Sequence, residues 1–162
     1  MKTLLTGAIS FLIAFNPLHA VDRIWSGAGG NDNWSTAANW SGTAPVNNDN
    51  LIFSGALRGN NTNDLTGLSA RWLTFSSDGF TLSGNLLTLN PSGSGMITNL
   101  SGTNTLALDL NIVPVNKNWF VAADSELRLA GGVANSGSAN PLLRFWQFER
   151  LDGNHAGVCC SH

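Results

Sequence analysis

The sequence predicts an all-β fold built as a parallel β-solenoid, and two observations carry this prediction. Charged residues make up only 11% of the chain, while 18 glycines accompany abundant Ser, Thr and Asn, a composition that favours secreted all-β proteins. After Ala20, short apolar runs such as "NLIFSG", "RWLTFSS" and "NTLALDLNIVPV" alternate with turn residues and show almost no helical periodicity. Each run has the length of a strand of about four to six residues.

The connections between the runs favour a solenoid over a β-sandwich or jelly roll, which is the alternative. Asp78-Gly79 is the one clear tight-hairpin signal, and many other connections are longer polar stretches. The segments "FTLSGNLLTLN", "MITNLSGTNTLALDL" and "FVAADSELRLAGGV", which begin at Phe80, Met96 and Phe120, each place a polar turn between two apolar runs. Their spacing of roughly 16 to 24 residues is close to one coil of a β-helix.

One coil of this solenoid can be assigned to "LTFSSDGFTLSGNLLTL". Side chains alternate between the two faces of a strand, so one set of residues points inward and the threonines between them point outward. The predicted inward residues are Leu73, Phe75, Phe80, Leu82, Leu87 and Leu89. The predicted outward residues are Thr74, Thr81 and Thr88.

The segment from Met1 to Ala20 has the composition of a secretory signal peptide. Lys2 precedes an apolar run that is too short to span a bilayer, and Pro17 and Ala20 follow it. We therefore expect an exported protein, secreted or on the cell surface, without a membrane span in its mature chain. Without Lys2 the chain has seven basic and ten acidic residues, a net charge of about −3, which gives no reason to expect nucleic acid as a partner.

Trp25, Trp34 and Trp40 lie in a stretch otherwise made mostly of Gly, Ser, Asn and Asp. One interpretation is a binding site for extracellular glycans, in which the rings stack on sugars and the neighbouring polar groups bind hydroxyls. The other is a structural cap, because the first coil of a solenoid exposes both its core and its strand edges. We favour the cap and keep the three tryptophans as the candidate binding residues.

No catalytic residue, metal site or cofactor is predicted. The ten acidic residues of the mature chain are scattered, and most stand in turn contexts. Asp124, Glu126 and Arg128 share one strand region, which we interpret as a solvated edge with surface ion pairs. The two "NDN" runs offer oxygens that suit Ca²⁺ but lack the rest of an EF-hand loop, and the adjacent Cys159 and Cys160 fit no zinc module.

The block "WSGAGGNDNWSTAANWSGTAPVNNDNLIFSG", together with "FTLSGNLLTL" and "GTNTLALDL", resembles bacterial passenger proteins built from autotransporter-associated β-strand repeats. The resemblance covers Ile24 to about Ala139. It implies a right-handed β-helix with a stem or adhesin-like role outside the cell, and largely no known chemistry. A non-enzymatic surface segment is therefore the expected function, with a carbohydrate-binding module centred on the tryptophans as the alternative.

The sequence divides into a signal peptide (1–20), a Trp-rich capping block (21–55), solenoid coils (56–140) and an atypical tail (141–162). The tail "PLLRFWQFERLDGNHAGVCCSH" changes in composition, and two interpretations stay open. It is either the end of a truncated or frame-disrupted gene, or a short cap. The first interpretation leads us to expect self-association through an uncovered last coil, and little change in folding cooperativity when Arg144 to His162 are deleted.

Overall fold

The computed structural model describes residues 20–90, 95–113 and 118–135, and within these ranges the chain is almost entirely β-structure. The strands are β1 (Asp22–Trp25), β2 (Asn50–Phe53), β3 (Asn60–Asn63), β4 (Ser69–Ala70), β5 (Leu73–Phe75), β6 (Thr81–Gly84), β7 (Leu87–Leu89), β8 (Gly95–Asn99), β9 (Thr103–Leu106), β10 (Leu110–Ile112), β11 (Asn118–Val121), β12 (Glu126–Leu129) and β13 (Val133–Asn135). One short 3-10 helix, η1 (Ala37–Trp40), lies between β1 and β2. The predicted signal peptide, apart from Ala20, and the predicted tail lie outside the described residues.

The strands stack as three parallel sheets around one axis, which confirms the predicted β-solenoid. The sheet orders are β1-β2-β5-β8-β11, β3-β6-β9-β12 and β4-β7-β10-β13. Leu51 pairs with Leu73, and Leu73 pairs with Ile97. One turn therefore takes about 22 to 24 residues, a period typical of solenoid repeats. The chain makes about three turns between β2 and β11, and no hairpin of a β-sandwich occurs among the paired strands described.

The core lies inside these three sheets, and the inward residues predicted for the second coil are confirmed. Leu73, Phe75, Phe80, Leu82, Leu87 and Leu89 are each at most 1% exposed. Thr74, Thr81 and Thr88 alternate with them on the outer faces and are half-buried. The period-two pattern identified this coil because a parallel stack keeps the inward row of each strand aligned with that of the next.

The corners of the solenoid are so tight that some of them require glycine. Gly84 ends β6 with φ of 100°, a left-handed conformation that side chains disfavour. A Cβ at this position would also collide with the backbone oxygen of Asn63 on the strand beneath. Gly59 meets the backbone oxygen of Gly79 in the same way, so part of the glycine content reflects corners where successive coils approach backbone to backbone.

Candidate functional site

The three candidate binding tryptophans meet beneath the first coil. Trp25 ends β1, Trp40 ends η1, and Trp34 follows a parallel bridge between Asn33 and Thr62. Trp25 and Trp34 are 0% exposed, and Trp40 is 2% exposed. The ring centroids lie 5.0 Å apart for Trp25–Trp40 and 5.8 Å apart for Trp34–Trp40, both pairs edge to face. The arrangement is that of a packed aromatic core.

The aromatic cluster continues into the solenoid through Phe53. The rings of Trp25, Trp34 and Trp40 lie 5.5 to 6.1 Å from the Phe53 ring. Phe53 in turn stacks on Phe75 of the next coil at 5.6 Å. The tryptophans therefore form the end of the hydrophobic core rather than a separate surface site.

The indole N–H groups are satisfied inside the protein. Trp34 Nε1 donates to Asn61 Oδ1 at 2.7 Å, and Trp40 Nε1 donates to the backbone oxygen of Trp34 at 2.8 Å. Trp25 Nε1 donates to the backbone oxygen of Leu57 at 3.3 Å. A buried indole without a partner would carry a desolvation cost, so these bonds fix the orientation of each ring.

The Trp-rich block also covers the strand edges of the first coil on all three sheets. Strand β1 pairs with β2. The edge of β3 is covered because Trp34 N donates to Thr62 O, and Thr62 N donates to Asp32 O. The edge of β4 is covered by Asn48 N, which donates to Ser69 O at 2.8 Å. Burial of the rings together with coverage of the edges favours the cap, because a sugar cannot stack on a ring face that protein atoms already cover.

Asn39 organises the polar part of the cap. It is fully buried, its Nδ2 donates to the backbone oxygens of Asn31 and Asn33, and its Oδ1 accepts from Gly29 N. Asn31 Oδ1 accepts from Asn33 N and from Thr36 Oγ1. The Asn31 side-chain oxygen of the first "NDN" run thus makes local turn contacts. Among the described residues, no group of three or more His, Cys, Asp or Glu residues could hold a metal ion.

The scattered carboxylates connect neighbouring coils. Asp78 Oδ1 accepts from Thr103 N, and Asp109 Oδ1 accepts from Gly132 N, each at 2.7 Å. These partners stand 25 and 23 residues further along the chain, which is one coil. The other inter-coil carboxylate contacts are Asp22 with Asn50, Asp32 with Arg58, Asp49 with Arg23, and Asp64 with Ser35.

The interpretation of Asp124, Glu126 and Arg128 as a solvated edge agrees with the structure. Arg128 Nε and Nη2 donate to Glu126 Oε1 and Oε2, both at 2.9 Å, and both side chains are more than half exposed. The contact with Glu126 raises the pKa of Arg128. Asp124 stands before β12 in a turn with φ of 59°. This geometry is that of a solvent-exposed surface ion pair.

Sequence reasoning missed four asparagines inside the solenoid: Asn61, Asn63, Asn99 and Asn104 are each at most 1% exposed. Asn61 pairs with Leu82 across strands, and Asn104 pairs with Leu127, so these asparagines occupy inward rows next to leucines. The available signal was their alternation with outward residues in "NNTN" and "TNTL", which matches the alternation of leucines in the other strands.

Comparison with known proteins gives no relative. No protein-family model, no curated protein and no solved structure matches the chain. Across residues 20–90, 95–113 and 118–135, no helix has the length and apolar character needed to cross a membrane.

Asp64 provides a pH-dependent link between the cap and the first coil. Its carboxylate accepts hydrogen bonds from Ser35 N and Ser35 Oγ. Partial burial alone would raise the pKa of Asp64, but the bonds from Ser35 and from the backbone of Asp64 and Trp34 outweigh it, so the pKa lies below its ordinary value of 3.8. A lowered pKa in the folded state means that the charged form stabilises the fold above pH 3.8, and that this contribution is lost as the pH falls through the folded-state pKa.

We expect Asp64→Asn to lower the free energy of unfolding at pH 7 by about 1 kcal/mol, a modest value because the group is largely exposed. The difference between variant and parent should shrink as the pH falls below 3.8, as measured by urea denaturation at several pH values. Asp124→Asn is the matched control and should change little. A difference for Asp64→Asn that stays constant from pH 7 to pH 2.5 would contradict this role of the charge.

Proposed function

We propose that the chain is a non-enzymatic, exported β-solenoid segment of the passenger type, with a stem or adhesin-like role at the cell surface. The single observation that carries the proposal is the use of its carboxylates. Six acidic side chains hold neighbouring coils together, as described above, and Asp78 and Asp109 make the same kind of contact, with a backbone N–H of the next coil, at two different corners. Acid–base catalysis needs carboxylates that are free to exchange protons with a substrate, whereas each of these already accepts a hydrogen bond from the adjacent turn of the same chain.

The surface of the solenoid also supports a structural role. Asn60, Thr81, Thr105 and Arg128 form one continuous outer row across β3, β6, β9 and β12. A shallow cleft of about 260 Å³ lies between the cap and the first coil, lined by Pro45, Val46, Asn47, Leu65, Thr66, Gly67 and Leu68. It contains no carboxylate or imidazole. A solenoid with a polar outer face and a capped end is suited to act as a stem, which holds another part of a protein away from the cell surface.

Export is tested by expressing the full chain in a bacterial host. We expect the product outside the cytoplasm, with a mass that corresponds to cleavage after Ala20, because the segment from Met1 to Ala20 has the composition of a signal peptide. Retention in the cytoplasm with this segment still attached would contradict export. The exported chain is then purified and used in the polysaccharide assays described next.

The structural role of the carboxylates predicts the effect of removing one. Asp78→Ala should lower the free energy of unfolding by about 1 to 2 kcal/mol, because the Thr103 N–H loses a charged acceptor. Chemical denaturation measures the change, and Asp124→Asn, which keeps a residue type that tolerates the left-handed conformation at this position, is the control. The parent should release no products from a panel of polysaccharides in reducing-end and lyase assays. Release of products by the parent would overturn the non-enzymatic assignment, and its loss in Asp78→Ala without a loss of stability would identify Asp78 as the responsible carboxylate.

The alternative, a carbohydrate-binding module that uses Trp25, Trp34 and Trp40, is not favoured. All three rings are buried in the core, as described above.

A further inference from the structure

One tryptophan outside the cap stands on the surface. Of the five tryptophans in the described part of the chain, Trp72 alone has a largely exposed side chain, at 45%. Its position is fixed by the coil, since its backbone oxygen accepts from Leu51 N at 2.8 Å. The next residue, Leu73, is fully buried and pairs with Leu51. Trp72 therefore lies at an outward position of the first sheet.

Two polar residues continue the row of Trp72 on the neighbouring strands. Leu51 N donates to Trp72 O and Arg71 N donates to Asp49 O, so Trp72 and Arg71 together lie opposite Asn50. Asn50 pairs with Asp22 on β1. Asn50 Nδ2 donates to Asp22 Oδ1 at 2.7 Å. Asn50 Oδ1, in contrast, is buried and accepts no hydrogen bond. An unused acceptor is costly, so the Asn50 amide has hydrogen-bonding capacity that the protein itself does not use.

A second outward row runs beside the first and is more apolar. Ile24, Ile52 and Thr74 pair in register, two residues further along the same strands. Ile24 is 46% exposed, and the other two are half-buried. The two rows span about 10 Å across the three parallel strands and about 7 Å along the strand direction. This six-residue surface, the Trp72 patch, combines one aromatic face, aliphatic edges and polar groups.

We propose that the Trp72 patch binds a neutral glycan, with the sugar ring face on the indole and the hydroxyls on Asp22 and Asn50. Sugars have an apolar ring face and a rim of hydroxyls, and binding sites match them with an aromatic surface next to carboxylates and amides. The Asp22 carboxylate disfavours acidic sugars. The outer face of stacked parallel strands is flat, so a flat β-1,4-linked chain fits it better than a coiled one.

A second copy of the chain is the less suitable occupant. Protein interfaces have an apolar centre from which charged groups are depleted, whereas the charged Asp22 and the polar Asn50 belong to this patch together with Trp72. The binding proposal does not rest on export or on the absence of catalysis. It is tested on the purified chain, so its failure and the failure of the proposed function are distinguishable.

The test is titration of the purified mature chain with cellohexaose, by calorimetry and by tryptophan fluorescence. We expect saturable binding of cellohexaose to the parent. Trp72→Ala should weaken this binding by about tenfold or more, Trp72→Phe should weaken it less, and Asp22→Ala should also weaken it. Laminarihexaose, which coils, should bind less well. Leu86→Ala is the control, since Leu86 is similarly exposed at 49% on a turn between β6 and β7 and should leave binding unchanged.

Two results would overturn the proposal. One is the absence of cellohexaose binding at millimolar concentrations, or binding that Trp72→Ala leaves unchanged. The other is a molar mass in light scattering that exceeds the monomer and falls to it in Trp72→Ala, which would assign the patch to contact between copies. Because the Trp72 side chain is exposed, its removal should leave the fold intact, and the melting temperature of each variant checks this.

Discussion

Trp34→Ala should lower the free energy of unfolding by about 3 to 5 kcal/mol. The ring is fully buried, contacts Trp40 and Phe53, and donates its N–H to Asn61 Oδ1. Truncation would leave a cavity at the end of the core and a buried amide oxygen without a partner. Since domains are stable by only about 5 to 15 kcal/mol, this is a large fraction of the total. Urea denaturation followed by far-UV circular dichroism measures it.

Two further variants separate the causes of this effect. Trp34→Phe keeps most of the apolar area but removes the N–H, so it should cost about 1 to 3 kcal/mol through the unsatisfied Asn61. Trp72→Ala removes an indole that is 45% exposed and should change stability by less than about 1 kcal/mol. If Trp34→Ala unfolds at the same denaturant concentration as the parent, the cap interpretation is wrong.

The sequence predicts the repeating part of this fold well because the physical signal is local. Leu73 and Phe75 alternate with Thr74 within one strand, and each apolar side chain finds its neighbours in the equivalent strand of the next coil. The prediction of a cap rests on a similar argument. A tryptophan within a stretch of turn residues needs a buried place, and the open end of a solenoid is where one exists.

The polar contacts were beyond sequence reasoning because they depend on the register between coils. Asp78 looks like a turn residue, but its partner Thr103 N lies a full coil away. The exposure of Trp72 likewise follows from the pairing of Leu51 with Leu73. The buried asparagines were missed for a related reason: in a chain rich in Asn, an inward Asn cannot be told from a turn Asn until the backbone groups around it are placed.

Asn104 is the buried asparagine with the most bonds in the described structure. Its Nδ2 lies within hydrogen-bonding distance of Asn99 Oδ1, Ser101 O and Ser77 O at 2.7 to 3.0 Å, and its Oδ1 accepts from Phe80 N at 2.8 Å. It thereby satisfies backbone groups at two successive corners of the solenoid. Backbone groups at a corner have no regular strand partner, so an inward amide replaces the missing ladder bonds.

Asn104→Leu should therefore lower the free energy of unfolding by about 3 kcal/mol, although leucine is the more apolar residue and has a similar volume. Several buried groups would lose their partner at about 1 to 3 kcal/mol each, and burial of the leucine offsets only part of that loss. Thr105→Leu, an outward change on the same strand, is the matched control and should stay within about 0.5 kcal/mol. In the double variant with Asn99→Ala, the two losses should be less than additive, because the Asn99–Asn104 bond is counted in both. A stabilised Asn104→Leu would mean that the inward asparagines are tolerated rather than needed, and that the corners obtain their hydrogen bonds from water.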